Sequence, residues 1–207
     1  MSVPVSVAVE GDIDEAVAHR LLAEVGGEAS AVRGRRGKSQ LVRNLGGYNA
    51  AALRLPWLVL IDLDNEPCPV DYATAVLPAP ASMMCRRVVV REIEAWLLAD
   101  RSGFASWAGV SVARVPADAE ALVDPKRSLV NVVRGSRNRN LRNDIVPRPT
   151  SGRSVGAGYN SRLREFVATH WDLQAALRNS DSLWRAYNCL QKLIQGAIQQ
   201  QQDATSL

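Results

Sequence analysis

Two apolar segments that each end in acidic residues place the strongest constraint on the fold of this chain. The first, Val3–Val9, is rich in valine and runs into Glu10, and the second, Trp57–Ile61, is apolar throughout and runs into Asp62 and Asp64. Runs of this kind are typical of buried strands. The pattern predicts a sheet with acidic residues at the carboxyl ends of two of its strands.

The residues after the first segment predict a helix that follows a sharp turn. Gly11 allows the turn, and Asp12 or Asp14 can cap a helix over residues 15–25. A strand, a glycine turn and a helix are the opening of an α/β unit. We therefore expect an α/β, Rossmann-like fold with a mainly parallel sheet flanked by helices and a C-terminal helical extension.

The remaining elements are predicted from periodicity and from glycine and proline positions. They are a basic loop over 33–39, a helix over 40–53 that is interrupted at Gly46 and Gly47, a strand over 86–90, a long basic loop over 135–158, and helices over 161–177 and 182–198. We expect residues 1–110 to form the α/β core, with residues 111–207 packed on the same domain.

The acidic residues after the strands predict a site for a divalent cation. Side chains at i and i+2 of an extended chain point the same way, so Asp62 and Asp64 can reach one cation, with Glu10 as a further ligand. Ligands of open α/β sheets bind at the carboxyl ends of the strands, and Mg²⁺ or Mn²⁺ suits oxygen ligands. Glu92 and Glu94 after the third strand either join this acidic site or complement a helix dipole.

Lys38 belongs to a Gly37-Lys38-Ser39 triplet that is similar to the end of a phosphate-binding loop. That loop requires a glycine five residues before Gly37, where this chain has Val32. We therefore interpret Lys38 as a basic residue beside the acidic strand ends or beside a bound phosphate.

Basic residues are concentrated in two segments of the chain, a shorter one that contains Arg35 and Arg36 and a longer one over residues 126–164. Ten lysines and arginines but only one acid, Asp144, lie between residues 126 and 164, which favours a polyanionic partner. Arginine suits bidentate pairing with phosphate. The candidate nucleic-acid contacts are Arg35, Arg36, Lys126, Arg134, Arg137, Arg139 and Arg142. A solvated surface without a partner is the alternative interpretation.

Other classes of protein are poorly supported by the composition. No apolar run reaches the ~18 residues that cross a bilayer, so we expect a cytoplasmic protein without a membrane partner. The three cysteines form no CxxC pair and are odd in number, which argues against a disulfide framework and a thiolate zinc site. Two histidines also supply few ligands or catalytic bases.

The two strand-plus-acid motifs, Glu10-Gly11-x-x-Asp14 and Asp62-x-Asp64, together resemble the toprim domain. This domain occurs in topoisomerases, bacterial primases and overcoming-lysogenization-defect nucleases. The toprim-like match covers about the first half of the chain. The segment from Arg91 to Leu98, with Pro125-Lys126 and Gly158-Tyr159-Asn160, is similar to an uncharacterised toprim-related bacterial family, often encoded beside ATPases in phage-defence or mobile loci.

The resemblance implies roles for the matching residues. Glu10 would be the general acid/base or a metal ligand, and Asp62 and Asp64 would hold Mg²⁺. Asp14 and Gly11 would support the helix start. Glu94, together with Glu92, would match the additional acid of the nuclease branches. An ATPase partner and a homo-oligomer are further expectations of this resemblance.

Three functional hypotheses follow. The first is a metal-dependent nuclease acting on DNA, with Glu10 and Lys38 as catalytic residues and an ATPase as a controlling partner. The second is a non-catalytic module that binds nucleic acid or a protein partner, and the third is a phosphoryl-transfer enzyme acting on nucleotides. No tyrosine is clearly placed as a covalent nucleophile, which favours hydrolysis by activated water.

Overall fold

A computed structural model of the chain describes residues 2–205 and contains a four-stranded, all-parallel sheet. Helices flank the sheet and a long helix lies at the C-terminus, so the predicted α/β, Rossmann-like fold class is confirmed. The strands are β1 (Val3–Val9), β2 (Gly27–Gly34), β3 (Trp57–Asp62) and β4 (Met84–Val89).

The chain divides into two compact units. The first unit comprises residues 1–89 and 184–207, and the second comprises residues 90–183. Besides the sheet, the first unit holds α1 (Asp12–Glu24), α2 (Lys38–Ala51), α3 (Pro69–Val76) and most of α10 (Asp181–Thr205). The second holds α4 (Ile93–Ala99), α5 (Arg101–Ala108), α6 (Pro125–Arg134), α7 (Arg139–Ile145), α8 (Tyr159–Thr169) and α9 (Leu173–Asn179). The predicted domain limits, 1–110 and 111–207, stay a prediction.

The order of the strands in the sheet is β2-β1-β3-β4. The chain therefore leaves β1 toward one edge of the sheet and then returns across β1 to place β3 on its other side. In open parallel sheets, the crevice outside the carboxyl ends at such a reversal is where ligands bind. Glu10 follows β1 and Asp62 ends β3, so both predicted acidic strand ends lie at this reversal.

Side-chain alternation along the strands divides the core of the first unit between two faces of the sheet. On one face, Trp57, Val59 and Ile61 of β3 pack with Leu41 and Leu45 of α2. On the other face, Leu22 of α1 and Ile194 of α10 pack closely against Gly27, the first residue of β2. A Cβ added to Gly27 would lie 3.0 Å from a side-chain atom of each. The continuous apolar sequence of β3 is thus explained by burial on both faces.

Several predicted elements are wrong in extent or type. The expected basic loop over 33–39 contains the end of β2 and the start of α2, and α2 runs through Gly46 and Gly47 without interruption. The expected loop over 135–158 contains α7, and the single helix predicted over 161–177 is two helices, α8 and α9. Glycine and proline content misled the loop assignment because α7 is short and amphipathic.

Gly156 and Gly158 show why the segment after α7 is rich in glycine. Their backbone N–H groups donate to the carbonyl oxygens of Ile145 and Asp144 at 2.9 and 3.0 Å. A Cβ on either glycine would clash with Asp144. The segment therefore returns tightly against the end of α7 instead of forming an open loop.

A buried polar network fixes the start of α10 within the second unit. The Glu120 carboxylate accepts hydrogen bonds from the Ser180 hydroxyl at 2.5 Å and from the backbone N–H of Ser182 at 2.9 Å. The Ser182 hydroxyl also accepts from the buried indole N–H of Trp96 at 2.7 Å. Because each buried polar group here is satisfied, the network specifies how α10 begins. Within residues 2–205, no helix has the length and apolar character needed to cross a membrane.

Candidate functional site

The carboxyl ends of β1 and β3 meet at a group of charged side chains in the first unit. The backbone N–H of Asp62 donates to Glu10 Oε1 at 2.9 Å, so the Glu10 side chain reaches across from β1 to the end of β3. Asp62 is 9% exposed and Glu10 is half-buried. This hydrogen bond joins the ends of the two strands directly.

Lys38, at the start of α2, is held against the same edge. Its Nζ donates to the Asp62 carbonyl oxygen at 2.7 Å and to Asp64 Oδ2 at 2.9 Å. The Nζ also lies 4.5 Å from the ring centroid of Tyr72 in α3. The ammonium group is therefore fixed by β3, by the residues after it and by an aromatic face. We refer to Glu10, Lys38, Asp62, Asp64 and Tyr72 as the strand-end cluster.

The electrostatics of the strand-end cluster keep Lys38 charged. Partial burial lowers the pKa of Lys38, but the hydrogen bond and the negative charge of Asp64 outweigh burial, so the pKa is raised. Burial raises the pKa of the Tyr72 hydroxyl, Lys38 opposes this shift, and the charge of Glu10 adds to it. The cluster thus holds a permanent cation among carboxylates.

The backbone around the cluster has two residues in the left-handed region. Asp64 has φ 52° and Arg35 has φ 62°. Aspartate tolerates this region better than most residues, but for arginine it is uncommon. The Arg35 N–H donates to the Val9 carbonyl oxygen at 2.9 Å, and its guanidinium pairs with Glu15 at 3.0 Å. These contacts hold the connection between β2 and α2 against the end of β1.

The supporting residues predicted from the sequence lie at the start of α1. Asp14 is buried, at 5% exposed, in the first turn, and Gly11 is the residue before the helix. Because the N-cap residue is a glycine, no side chain caps α1. The first-turn position of Asp14 agrees with a structural role, since acidic residues there complement the helix dipole.

Glu92 and Glu94 lie in the second unit and form a cluster of their own. Glu92 accepts from the backbone N–H of Lys126 at 3.0 Å and from its Nζ at 3.2 Å. Glu94 Oε1 accepts from the Tyr159 hydroxyl at 2.8 Å and lies 3.7 Å from Lys126 Nζ. We refer to these four residues as the Glu94 cluster.

Burial dominates the chemistry of the Glu94 cluster. Glu94 is 1% exposed, and its Oε2 has no hydrogen-bond partner among the described residues. Burial raises the pKa of Glu94, and the charge of Glu92 adds to this rise while Lys126 and Tyr159 oppose it. Burial also raises the pKa of the Tyr159 hydroxyl, so this group stays a hydrogen-bond donor.

The predicted nucleic-acid contacts fall into two groups. Arg36 of the first unit is exposed, as are Arg134, Arg137 and Arg139 of the second. Arg142 is half-buried, and its Nη1 donates to the Ser136 carbonyl oxygen at 2.6 Å, so it holds the turn before α7. The exposed arginines are the better placed of the set to meet a phosphate backbone.

The predicted metal site would take its oxygen donors from the carboxylates of the strand-end cluster. Among residues 2–205, no group of three or more His, Cys, Asp and Glu side chains is arranged to hold a metal ion. Mg²⁺, however, is commonly bound by one or two carboxylates together with waters and substrate phosphates. One or two carboxylates from among Glu10, Asp62 and Asp64 would suit this second mode of binding.

Tyr72 is the residue that sequence reasoning missed, because nothing in its spacing relates it to Lys38. Tyr159 was noted only within Gly158-Tyr159-Asn160, without a role. Tyr72 lies in the helix that follows β3 and the acidic segment, and this position in an α/β unit is the one clue to its place.

Comparison of the chain with protein-family models, with curated proteins and with solved structures gives no match. The fold and the strand-end cluster define the chain as a Rossmann-like α/β protein with charged residues at the reversal of its sheet. The toprim relationship stays a prediction.

Proposed function

We propose that the protein is a Mg²⁺-dependent phosphodiesterase that cleaves nucleic acid, with DNA as the expected substrate. The observation that carries this proposal is the contact of Glu10 Oε1 with the Asp62 N–H at 2.9 Å. It supports the proposal because it brings a glutamate from one strand end to the acidic end of its neighbour, at the reversal of the sheet.

One or two of the carboxylates of Glu10, Asp62 and Asp64 would hold the cation, together with water and the phosphate of the substrate. When bound, Mg²⁺ would activate a water molecule and offset negative charge on the phosphodiester. Mn²⁺ has the same preference for oxygen ligands and should substitute. The Asp62 N–H fixes the orientation of the Glu10 carboxylate, so that this carboxylate can accept a proton at a defined position.

Lys38 would supply the positive charge that the reaction needs beside the carboxylates. Its ammonium is held by Asp62 and Asp64 at 2.7 and 2.9 Å and stays protonated because its pKa is raised. A fixed cation of this kind stabilises charge that develops on a phosphate without reorganising during the reaction. The exposed Arg134, Arg137 and Arg139 would add contacts with the phosphate backbone.

The test is cleavage of supercoiled plasmid and of single-stranded DNA in the presence of Mg²⁺, Mn²⁺ or EDTA. Glu10→Gln and Asp62→Asn should each reduce cleavage by about 10²-fold or more, because each removes a charged oxygen donor. Glu28→Gln is the matched control, since Glu28 is an exposed glutamate of β2 at the opposite end of the same sheet. It should cleave like the unaltered protein.

Variants of Lys38 distinguish an effect on metal binding from an effect on catalysis. Lys38→Met should leave Mn²⁺ affinity, measured by electron paramagnetic resonance, unchanged or tighter, because it removes a cation that pairs with Asp64. It should nevertheless reduce cleavage, whereas Lys38→Arg should retain more activity. Cleavage that persists in EDTA, or that is equal in all variants, would contradict the proposal.

The non-catalytic module is an outcome of the same experiment. It would be indicated by DNA binding with a steep salt dependence and no cleavage in any metal, with and without a candidate ATPase partner and ATP. Turnover of nucleotides without any effect on DNA would indicate the phosphoryl-transfer enzyme instead.

A further inference from the structure

Six exposed arginines between residues 134 and 164 of the second unit carry unpaired charge. Among the described residues, none of their guanidinium groups forms an ion pair with a carboxylate. Asp144, the one acidic residue of the sequence between residues 126 and 164, is engaged by Arg162 at 2.8 Å. The six, which we call the arginine surface, are Arg134, Arg137, Arg139, Arg148, Arg153 and Arg164. Their charges are therefore available to an anionic partner.

The first three of these arginines lie where α6 meets α7. Arg134 ends α6 and Arg139 begins α7, and the two helices pack on each other. The turn between them is held by Asn138, whose side chain accepts from the N–H groups of Asn140 and Leu141, each at 3.1 Å. The three guanidinium groups therefore project from one connection of fixed backbone geometry.

The other three arginines follow α7 in the chain. Arg148 and Arg153 lie in the segment that links α7 to α8, and Arg164 lies in α8, which packs on α7. The linking segment returns against the end of α7, where the Gly156 N–H donates to the Ile145 carbonyl oxygen at 2.9 Å. All six arginines thus belong to three successive, packed helices and their connections.

No aromatic side chain is exposed in the second unit, residues 90–183, all of which the structure describes. Trp107 is half-buried, and its ring packs on those of Phe104 and Phe166, with centroids 5.4 and 4.9 Å away. The buried aromatic residues are Trp96, Phe104, Tyr159, Phe166 and Trp171. Proteins that bind single-stranded nucleic acid combine a basic groove with exposed rings on which the bases stack. The second unit has the positive charge without the stacking rings.

We propose that the arginine surface binds the phosphate backbone of double-stranded DNA, so that the duplex, rather than the single strand, is the substrate class of the protein. A duplex presents one negative charge per ~1.7 Å of its axis. Arginine pairs with phosphate oxygens through two parallel hydrogen bonds, and such contacts need no access to the faces of the bases. The inference rests on the proposed function insofar as the bound duplex is the molecule that is cleaved.

The test is binding of the whole chain to DNA, measured by fluorescence anisotropy in EDTA, so that metal-dependent cleavage does not interfere. The probes are a labelled duplex and the same labelled strand without its complement, each titrated at several salt concentrations. The duplex should bind about tenfold more tightly or better, because the single strand releases fewer counterions per contact and finds no exposed ring to stack on. The logarithm of the duplex affinity should fall with the logarithm of salt by about 0.9 per phosphate contact.

Two variants with the same change in net charge test whether position matters. The double replacement Arg153→Gln and Arg164→Gln should weaken duplex binding and flatten its salt dependence by about 0.9 in slope per lost contact. The matched control is Arg54→Gln with Arg178→Gln, which removes two exposed arginines that lie outside the arginine surface. It should keep the original slope. Circular dichroism of both variants shows that binding was measured on folded protein.

The inference and the proposed function fail in different experiments. Equal or tighter binding of the single strand, no binding of the duplex, or equal salt slopes of the two double variants would overturn the inference. Preference for the duplex in EDTA, with no cleavage in any metal, would support the arginine surface and overturn the phosphodiesterase. Cleavage of single-stranded DNA in preference to the duplex would keep the phosphodiesterase and overturn the inference.

Discussion

Tyr159→Phe is the substitution that most cleanly tests the packing of the second unit. It removes one hydroxyl, whose 2.8 Å hydrogen bond to Glu94 Oε1 lies between two buried side chains, 3% and 1% exposed. The nearest alternative partner, Lys126 Nζ, lies 3.7 Å from Glu94 and also bonds to Glu92. Lys126 is therefore poorly placed to replace the hydrogen bond that Glu94 loses in the variant.

The expected loss of stability is about 2 kcal/mol, the range for a buried hydrogen bond to an ionisable group. For a chain of this length, the melting temperature should fall by roughly 4–8 °C. Urea unfolding followed by tryptophan fluorescence measures the change, and Trp96 of α4 lies in the same helix as Glu94. Tyr48→Phe is the control, since Tyr48 stacks on Trp57 through its ring and should change stability by less than about 0.5 kcal/mol.

A double-mutant cycle attributes the loss to the pair rather than to the tyrosine alone. Combining Tyr159→Phe with Glu94→Gln should give a coupling free energy of about 1 kcal/mol or more, because the two side chains share one bond. Equal stability of the Tyr159→Phe and Tyr48→Phe proteins, or additivity of Tyr159→Phe and Glu94→Gln within experimental error, would refute a stabilising role for this hydrogen bond.

Three further predictions concern the second unit. Burial raises the pKa of Glu94 above its ordinary value of 4.5, so the folded chain holds this proton more tightly than the unfolded chain. Its contribution to stability is complete below pH 4.5 and declines as pH rises through the raised pKa, so Glu94→Gln should be less unfavourable at pH 7 than at pH 4 in urea unfolding. Equal effects at both pH values would contradict this. Asp100→Ala should cost about 2 kcal/mol in the same assay, because the buried Asp100 carboxylate accepts from the N–H groups of Gly103 at 2.9 Å and of Asp172 at 2.8 Å. An effect below about 0.5 kcal/mol would be inconsistent with these two bonds. Replacing Arg134, Arg137 and Arg139 together by glutamine should flatten the salt dependence of DNA binding by about 0.9 in slope per lost phosphate contact, while Arg178→Gln, an exposed arginine of α9, should leave it unchanged. A triple variant with the original slope would show that these arginines make no phosphate contacts.

The fold could be predicted in large part because two strands carry strong local signals. β1 is rich in valine and β3 is apolar at every position, and the structure places both where the sequence does, with β3 one residue longer. β2 was missed because an edge strand is half-exposed, and its sequence mixes small, apolar and basic residues. A strand of this kind takes its conformation from pairing with β1, which no local window of sequence records.

For the candidate sites too, the positions of residues at strand ends could be predicted from local sequence, whereas their contacts could not. The positions of Glu10 and Asp62 at strand ends are local properties, but their contact depends on the order of the strands. The contacts of Tyr72 with Lys38 and of Tyr159 with Glu94 were not predicted, since each joins residues distant in sequence.

The most direct test of the central claim is binding of Mn²⁺ to the protein and to three variants, measured by electron paramagnetic resonance without any substrate. The strand-end cluster should bind Mn²⁺, Asp62→Asn and Glu10→Gln should each weaken binding by about tenfold or more, and Glu28→Gln should leave it unchanged. Mn²⁺ binding of equal affinity in all four proteins, or none in any of them, would contradict the account.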